Sequence, residues 1–173
     1  MPDSILVLQL EHRKIGKVLG LLRRQLAQLQ AELPLDRVLL ESALDYLSGF
    51  PEQCHHPKED LVYRKLIERF PALAVSLEEL ASEHKQVDEL MRELRQALND
   101  ARLQKPEGAN DLALQLQEFR DFYDLHIMME EQHFFPMALN HLTRGDFEEI
   151  DFSLYEQLDS ALSKDAEASY GAL

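Results

Sequence analysis

Prolines and glycines divide this sequence into four long stretches with helical periodicity. Over residues 4–32, apolar side chains recur every three or four positions, as they do on one face of an α-helix. The segment LPLD (33–36) ends this helix, and further helices are predicted for about 37–69, 76–102 and 111–141. The second helix contains SGFPEQ (48–53), where the proline predicts a kink. A shorter fifth helix is predicted to begin at TRGDFEE (143–149) and to end near Leu162.

The pattern predicts an all-α fold, since no segment alternates between apolar and polar residues as a strand does. Four long helices with short connections favour an up-down antiparallel four-helix bundle with a short additional C-terminal helix. A chain of 173 residues is expected to form one domain. We assign residues 1–163 to this domain and predict that residues 164–173 form a flexible tail.

The net charge of -14 at pH 7 argues against binding to nucleic acid or to an anionic membrane surface, because both depend on an excess of Lys and Arg. No run of about 18 apolar residues could span a membrane, and the first residues lack the pattern of a signal sequence. The single cysteine, Cys54, permits no internal disulfide, which is typical of a reducing compartment. We therefore expect a cytoplasmic protein that binds neither nucleic acid nor membranes.

Four of the seven histidines are expected to lie at one height in the bundle. Two residues on antiparallel helices lie at the same height when the turn between them is equidistant from both. The four histidines are His12, His55, His84 and His126. The midpoints between successive histidines fall at Pro34, at Phe70 and beside Pro106, all on predicted turns. One imidazole from each helix therefore reaches a common layer.

Two of these histidines are followed one helical turn later by a glutamate, Glu59 after His55 and Glu130 after His126. Residues four apart share a helix face, so each pair can bind one metal ion or two adjacent ions. Four imidazoles and two carboxylates suit two transition-metal ions bridged by the carboxylates. Iron, manganese or zinc fits these ligands, whereas calcium and magnesium prefer oxygen alone. No hydrolase or transferase motif stands out, so the pattern leaves open whether the protein is an enzyme.

The same segments resemble the hemerythrin-like family of HHE cation-binding domains. The resemblance is carried by LEHRKI (10–15), FPEQCHHPKEDLVYRKL (50–66), EHKQVDEL (83–90) and HIMMEEQHFFPMAL (126–139), and it spans about residues 5–140. It implies a four-helix bundle that holds a non-haem di-iron centre. The ligands implied are His12, His55, Glu59, His84, His126 and Glu130. It also implies a protein that binds or responds to O2, NO, peroxide or iron, while assembly into a homodimer is left open.

Two positions depart from the oxygen-carrying hemerythrins. Asp88 stands one turn after His84, where those proteins have a further histidine, so each ion is expected to have about two histidines. Glu130 follows His126 by four residues, where they have an aspartate five residues on. The set of six is more similar to that of the iron-centre repair proteins and of the iron-sensing F-box hemerythrin domain.

Two alternatives remain open from the residues. A ferritin-like site could use EQCH (52–55) and EEQH (130–133) together with Glu11 and Glu83, as a di-iron oxidase or iron-storage protein would. Alternatively, the chain could be a structural helical domain that holds zinc or manganese, or a metal-free helical module.

Four further residues are candidates for supporting roles. His56 and His133 are expected to orient ligands or to add to them, although His133 lies about 10 Å beyond His126 along the helix. Asp88, one turn after His84, is the expected hydrogen-bond partner of an imidazole. Gly16, one turn after His12, is predicted to leave a gap on the inward face, where a small diatomic ligand or peroxide could enter.

Overall fold

The computed structural model describes the backbone of residues 1–102 and 108–170, and the side chains of residues 1–74, 82–100 and 110–157. The described helices are α1 (Asp3–Gln30), α2 (Arg37–Phe50), α3 (His56–Arg69), α4 (Ala74–Arg102), α5 (Gly108–Met129), α6 (Phe135–His141) and α7 (Arg144–Tyr170). No strand occurs in these residues. The predicted all-α class is therefore confirmed for the part of the chain that the structure describes.

Two of the predicted helices are each interrupted by one π-helical turn. The first π turn, Pro51–His55, separates α2 from α3, where the sequence predicts a kink, and the second, Glu130–Phe134, separates α5 from α6. In both turns the amide just before a proline donates to the carbonyl five residues earlier, His56 to Pro51 and Phe135 to Glu130. The prolines, Pro57 and Pro136, have no N–H with which to continue the regular hydrogen-bond ladder.

The two π turns occur in the same short sequence pattern. EQCHHP (52–57) contains most of the first turn, and EQHFFP (131–136) most of the second. Each pattern has Glu-Gln at its start and two consecutive rings before its proline. The same short sequence pattern therefore accompanies a π turn in each half of the chain.

The last helix is longer than the sequence predicts. α7 extends to Tyr170 rather than ending near Leu162. No Gly or Pro occurs between Gly145 and Gly171, and the intervening residues include several good helix formers, so nothing local ends the helix at Leu162. Residues 171–173 lie outside the described residues, and a flexible tail over 164–173 stays a prediction.

Two apolar clusters lie on either side of a polar layer. The first joins α1, α2, α4 and α5, and the second joins the start of α1 with α3, α6 and α7. On α1, Leu8 belongs to the second cluster and Ile15 to the first, with His12 between them. Leu47 and Val62 flank His55 in the same way. The layer between the clusters is where the helices bring their histidines.

The contacts between helices show how they pack around this layer. α1 contacts α2 and α5, and α4 also contacts α2 and α5, while α7 lies against α3 and α1. The Asp151 carboxylate on α7 accepts hydrogen bonds from the amides of Asp3 (3.2 Å) and Ser4 (2.8 Å) at the start of α1. Within the described residues, no helix is both long and apolar enough to cross a membrane.

Candidate metal centre

Seven side chains that can bind metal meet in the polar layer. They are His12 on α1, His55 in the first π turn, His56 and Glu59 on α3, His84 on α4, His126 on α5 and Glu130 in the second π turn. All except His84 are buried, and the Glu130 side chain is 0% exposed. The His84 side chain is 19% exposed. The layer therefore approaches solvent most closely at α4.

The seven side chains form two adjacent groups. In the first, ligand atoms of His12, His55, Glu59 and Glu130 all lie within 4.8 Å of one another. In the second, nitrogens of His56, His84 and His126 do so. The two groups are close enough for the carboxylates of the first to contact the histidines of the second.

Both carboxylates face both groups. The Oε1 atom of Glu59 lies 3.0 Å from Nε2 of His55 and 3.5 Å from Nε2 of His12, while its Oε2 atom lies 3.5 Å from Nε2 of His84. The Oε2 atom of Glu130 lies 3.1 Å from Nε2 of His12. Its Oε1 atom lies 3.3 Å from Nε2 of His126 and 3.7 Å from Nε2 of His84. Each glutamate thus directs one oxygen to each group, which is the arrangement of a bridging carboxylate.

When the imidazoles are neutral, as metal ligation requires, these atoms lie close together without hydrogen bonds between them. Both oxygens of Glu59 and of Glu130 are buried with no hydrogen-bond partner, as are the Nε2 atoms of His12, His56 and His84. Leaving so many buried polar atoms unsatisfied is costly. Ligands bound to one ion at about 2.1 Å and at right angles lie about 3 Å apart, close to the separations observed here. The donor set therefore fits metal ions better than it fits a hydrogen-bonded core.

Four outer glutamates hold four of the imidazoles by their other nitrogen. The Nδ1 atoms of His12, His55, His56 and His126 contact Glu131 (2.9 Å), Glu11 (3.0 Å), Glu52 (2.9 Å) and Glu83 (2.7 Å), respectively. An ionised carboxylate only accepts hydrogen bonds, so each Nδ1 must carry the proton. In the neutral imidazole the lone pair is then on Nε2, which is the tautomer a metal ion needs.

The carboxylates change the protonation of the histidines when no metal is bound. Burial opposes a charge on His12, but the carboxylates of Glu130 and Glu59 outweigh this and raise its pKa to about 10. For His55 the same balance, with Glu59 and Glu11, raises the pKa to about 9. Burial, together with the neighbouring His84, lowers the pKa of His56 to about 3. Protons on His12 and His55 thus supply positive charge between the carboxylates of the metal-free protein.

The structure brings together all six residues that the resemblance implies as ligands. It also adds His56, for which an orienting role or an added ligand role was left open. Neighbouring residues on a helix point about 100° apart, so His55 and His56 cannot serve one ion equally well. They reach different groups instead, and His56 stacks on His84 with ring centroids 3.8 Å apart. The expected two histidines per ion therefore become two in one group and three in the other.

Three supporting residues do not lie where the sequence predicts. His133 is exposed, because it lies within the second π turn, which breaks the helical phase set by His126. Asp88 and Gly16 are also exposed, although each lies one helical turn after a candidate ligand. A Cβ added at Gly16 would meet no atom within 4 Å, so the expected gap opens to solvent rather than inward.

The outer glutamates were not predicted in that role, although the sequence contains a signal for them. Glu11 and Glu83 each precede a histidine in the dipeptide Glu-His, and each contacts a histidine of a neighbouring helix rather than the one beside it. Glu52 and Glu131 occupy the same position in the repeated π-turn pattern. By sequence context the four glutamates therefore form two pairs, Glu11 with Glu83 and Glu52 with Glu131, and each of the four contacts a different histidine.

The family model for the hemerythrin HHE cation binding domain matches residues 3–138, a range that includes all seven side chains of the centre. Comparison with curated proteins gives no significant match, and comparison with solved structures gives none. The matched range covers most of the chain and coincides with the helices that carry the two histidine groups. This protein belongs to the hemerythrin HHE cation-binding family.

Proposed function

We propose that the chain is a cytoplasmic, non-haem di-iron protein that binds or responds to O2, NO, peroxide or iron, and that its helices form an up-down antiparallel bundle. The observation that supports two ions is the orientation of Glu59 and Glu130, each with one oxygen toward each histidine group. A single ion would leave either His12 and His55 or the second group of histidines without a partner. The mixture of imidazole and carboxylate suits iron, with manganese and zinc as alternatives.

The uneven distribution of histidines favours one ion as the place where a small ligand binds. The ion held by His12 and His55 would have one imidazole fewer than the ion held by His56, His84 and His126. Fewer protein nitrogens would therefore hold that ion, which would leave more room for a small ligand. When bound, iron would supply a redox-active centre for a small ligand there, while the outer glutamates keep the imidazoles oriented.

A ferritin-like site receives no support from three of the four glutamates it would require. Glu11, Glu52 and Glu83 contact the Nδ1 atoms of His55, His56 and His126. Those nitrogens are on the outer side of each ring, away from the shared carboxylates. The three glutamates are thus placed to orient ligands rather than to bind an ion.

Metal analysis of anaerobically purified protein tests the proposal. We expect about two iron ions per chain, because two carboxylates can bridge. His84→Ala should lower the metal content sharply, whereas Glu52→Ala should retain both ions with about 10-fold weaker affinity. Stopped-flow absorbance of the reduced protein should show a reaction with at least one of O2, NO and peroxide.

Two outcomes would contradict the proposal. One zinc ion per chain under iron-replete conditions would contradict a di-iron centre. Loss of metal in Glu52→Ala but not in His84→Ala would support the ferritin-like arrangement instead.

A further inference from the structure

A buried lysine lies behind one ligand of the candidate centre. The side chain of Lys58 on α3 is 9% exposed. Its Nζ atom donates hydrogen bonds to Oε1 of Glu11 (2.7 Å) and to the carbonyl oxygen of Cys54 (2.5 Å) in the first π turn. The other oxygen of Glu11, Oε2, accepts from Nδ1 of His55 (3.0 Å). Lys58, Glu11 and His55 therefore form a continuous chain of hydrogen bonds that ends at a candidate ligand.

Glu11 differs from the other three outer glutamates in its surroundings. The side chains of Glu52, Glu83 and Glu131 are 46%, 29% and 30% exposed, whereas that of Glu11 is 10% exposed. Glu131 accepts a hydrogen bond from the neutral amide of Gln9 (2.9 Å). Among the described side chains, Glu11 is the one outer glutamate that accepts a hydrogen bond from a buried cation. His55 is therefore the ligand whose outer partner is least accessible to water and salt.

We propose that Lys58 is a positioning residue that acts through Glu11 on His55 and favours the reduced state of the ion held by His12 and His55. This inference rests on the proposed di-iron function. By donating to Glu11, Lys58 draws electron density away from that carboxylate, which becomes a weaker acceptor for the His55 N–H. His55 is then a weaker electron donor to the ion. The fixed positive charge of Lys58 acts in the same direction, because it disfavours the more highly charged oxidised ion, and burial limits its screening.

The proposal predicts shifts of opposite sign for two neighbouring substitutions. Lys58→Met removes the positive charge and strengthens Glu11 as an acceptor, so the midpoint potential should become more negative. Glu11→Gln removes the negative charge and weakens the hydrogen bond to His55, so the potential should become more positive. If the substitutions only loosened the structure, the midpoint potentials of both variants should shift in the same direction. The opposite signs therefore separate an electronic role of Lys58 from a purely structural one.

A double variant covers the case in which a single substitution prevents folding. Lys58→Met leaves Glu11 buried beside an apolar side chain, and Glu11→Gln leaves Lys58 without its carboxylate. The combination Glu11→Gln/Lys58→Met replaces both charges by neutral groups, which buried ion pairs often tolerate. Because Glu11 is nearer to His55 than Lys58 is, the potential of the double variant should lie between those of wild type and Glu11→Gln.

Lys65→Met is the matched control. It removes the same charge from the same helix, but Lys65 pairs with Glu68 and Glu149 on the side that faces α7. Its potential should equal that of wild type. The potentials are measured by reductive titration of the iron-loaded protein, followed by absorbance. As a second readout, Glu11→Gln should release iron to a chelator about 10-fold faster, while Lys58→Met should not be faster than wild type.

The outcomes distinguish this inference from the proposed function. Wild-type protein that holds two iron ions, with shifts of the same sign in both single variants or no shift beyond that of Lys65→Met, would overturn the inference alone. The same holds if the double variant has a more negative potential than wild type. Wild-type protein that binds no redox-active metal would overturn both.

Discussion

His55 and His56 are consecutive residues that serve opposite sides of the metal centre. His55 extends its Nε2 atom to within 3.0 Å of Glu59 in the first group, and Glu11 holds its Nδ1 atom. His56 stacks on His84 in the second group, and Glu52 holds its Nδ1 atom. Each ring thus has its own outer carboxylate. Because neighbouring residues on a helix point about 100° apart, each of the two rings reaches a different group.

Removing the His56 imidazole should weaken one ion and spare the other. We expect His56→Ala to reduce bound iron from about two ions toward one per chain, because the second group would retain only His84 and His126. Direct measurement of iron content and of the binding stoichiometry checks this. His133→Ala is the control, since His133 is exposed and outside both groups. A His56 variant that binds two ions with wild-type affinity would contradict the role we propose.

At this scale, the sequence identifies the four histidines from their heights along the helices, but it misplaces two supporting residues and misses the contacts between helices. His12, His55, His84 and His126 come together because their levels depend on helix rise and turn position alone. Asp88 and His133 were placed by helical steps of four and seven, and both are exposed. Lys58 and the four outer glutamates act between helices, so their roles depend on side-chain packing that no single-helix pattern encodes.

A polar joint fixes the start of α7 to the end of α3. Thr143 and Asp146 form a reciprocal cap, in which the Asp146 N–H donates to Oγ1 of Thr143 (3.2 Å) and the Thr143 N–H donates to Oδ2 of Asp146 (2.9 Å). Nε of Arg69 donates to Oδ1 of the same carboxylate (2.6 Å). The hydroxyl and amide of Thr143, together with Arg69, lower the pKa of Asp146 to about 2. One aspartate therefore links a helix start to a neighbouring helix end.

The stability that Asp146 contributes should disappear in acid. Its folded pKa of about 2 lies below the unfolded value of about 3.9. The contribution is therefore fully present above pH 4 and lost as pH falls through 2. Asp146→Asn should lower the melting temperature near neutral pH, and the difference from wild type should shrink as pH falls over this range.

Thermal denaturation followed by circular dichroism measures this difference. Glu148→Gln is the control, because Glu148 pairs with the exposed Arg144 on the same helix and should show little effect. A gap between Asp146→Asn and wild type that stays constant from neutral pH to pH 2 would contradict this assignment.

The helical elements are predictable from the sequence to the extent that local signals define them. The kink near Pro51 was predicted, but the break before α6 was not, although Pro136 is a local signal of the same kind and EQHFFP repeats the pattern of EQCHHP. The end of α7 was predicted wrongly near Leu162, where neither Gly nor Pro marks the end of a helix.

At the scale of the whole molecule, protons on the histidines stabilise the metal-free centre, whereas bound metal ions would stabilise the loaded centre. The raised pKa values of His12, about 10, and of His55, about 9, mean that folding stabilises their charged forms. Their contribution is fully present below the unfolded value of about 6.5 and is lost as pH rises through 9 to 10. Bound ions would replace these protons, since metal ligation requires the neutral imidazole.

The metal-free protein should therefore become less stable between pH 7 and pH 10, while the metal-loaded protein loses less over the same range. At neutral pH the loaded form should melt at the higher temperature, because ligands that bind only the folded state stabilise it. Melting curves of both forms across this pH range test the expectation. Identical pH profiles for the two forms would place the titrating groups, or the metal, elsewhere.

The first π turn begins before the candidate ligands on its own predicted helix, whereas the second begins after the first candidate ligand on its own. The first precedes His56 and Glu59, so its extra residue sets the rotation of the ligands relative to the apolar face of α2. The second begins at Glu130, after His126, so its extra residue sets the rotation of Phe135 and the rest of α6 relative to the ligands. With one residue fewer, every side chain beyond the turn would swing by about 100°. In one half imidazoles would turn away from the metals, and in the other an aromatic ring would leave the core. At these two places the number of residues matters as well as their identity.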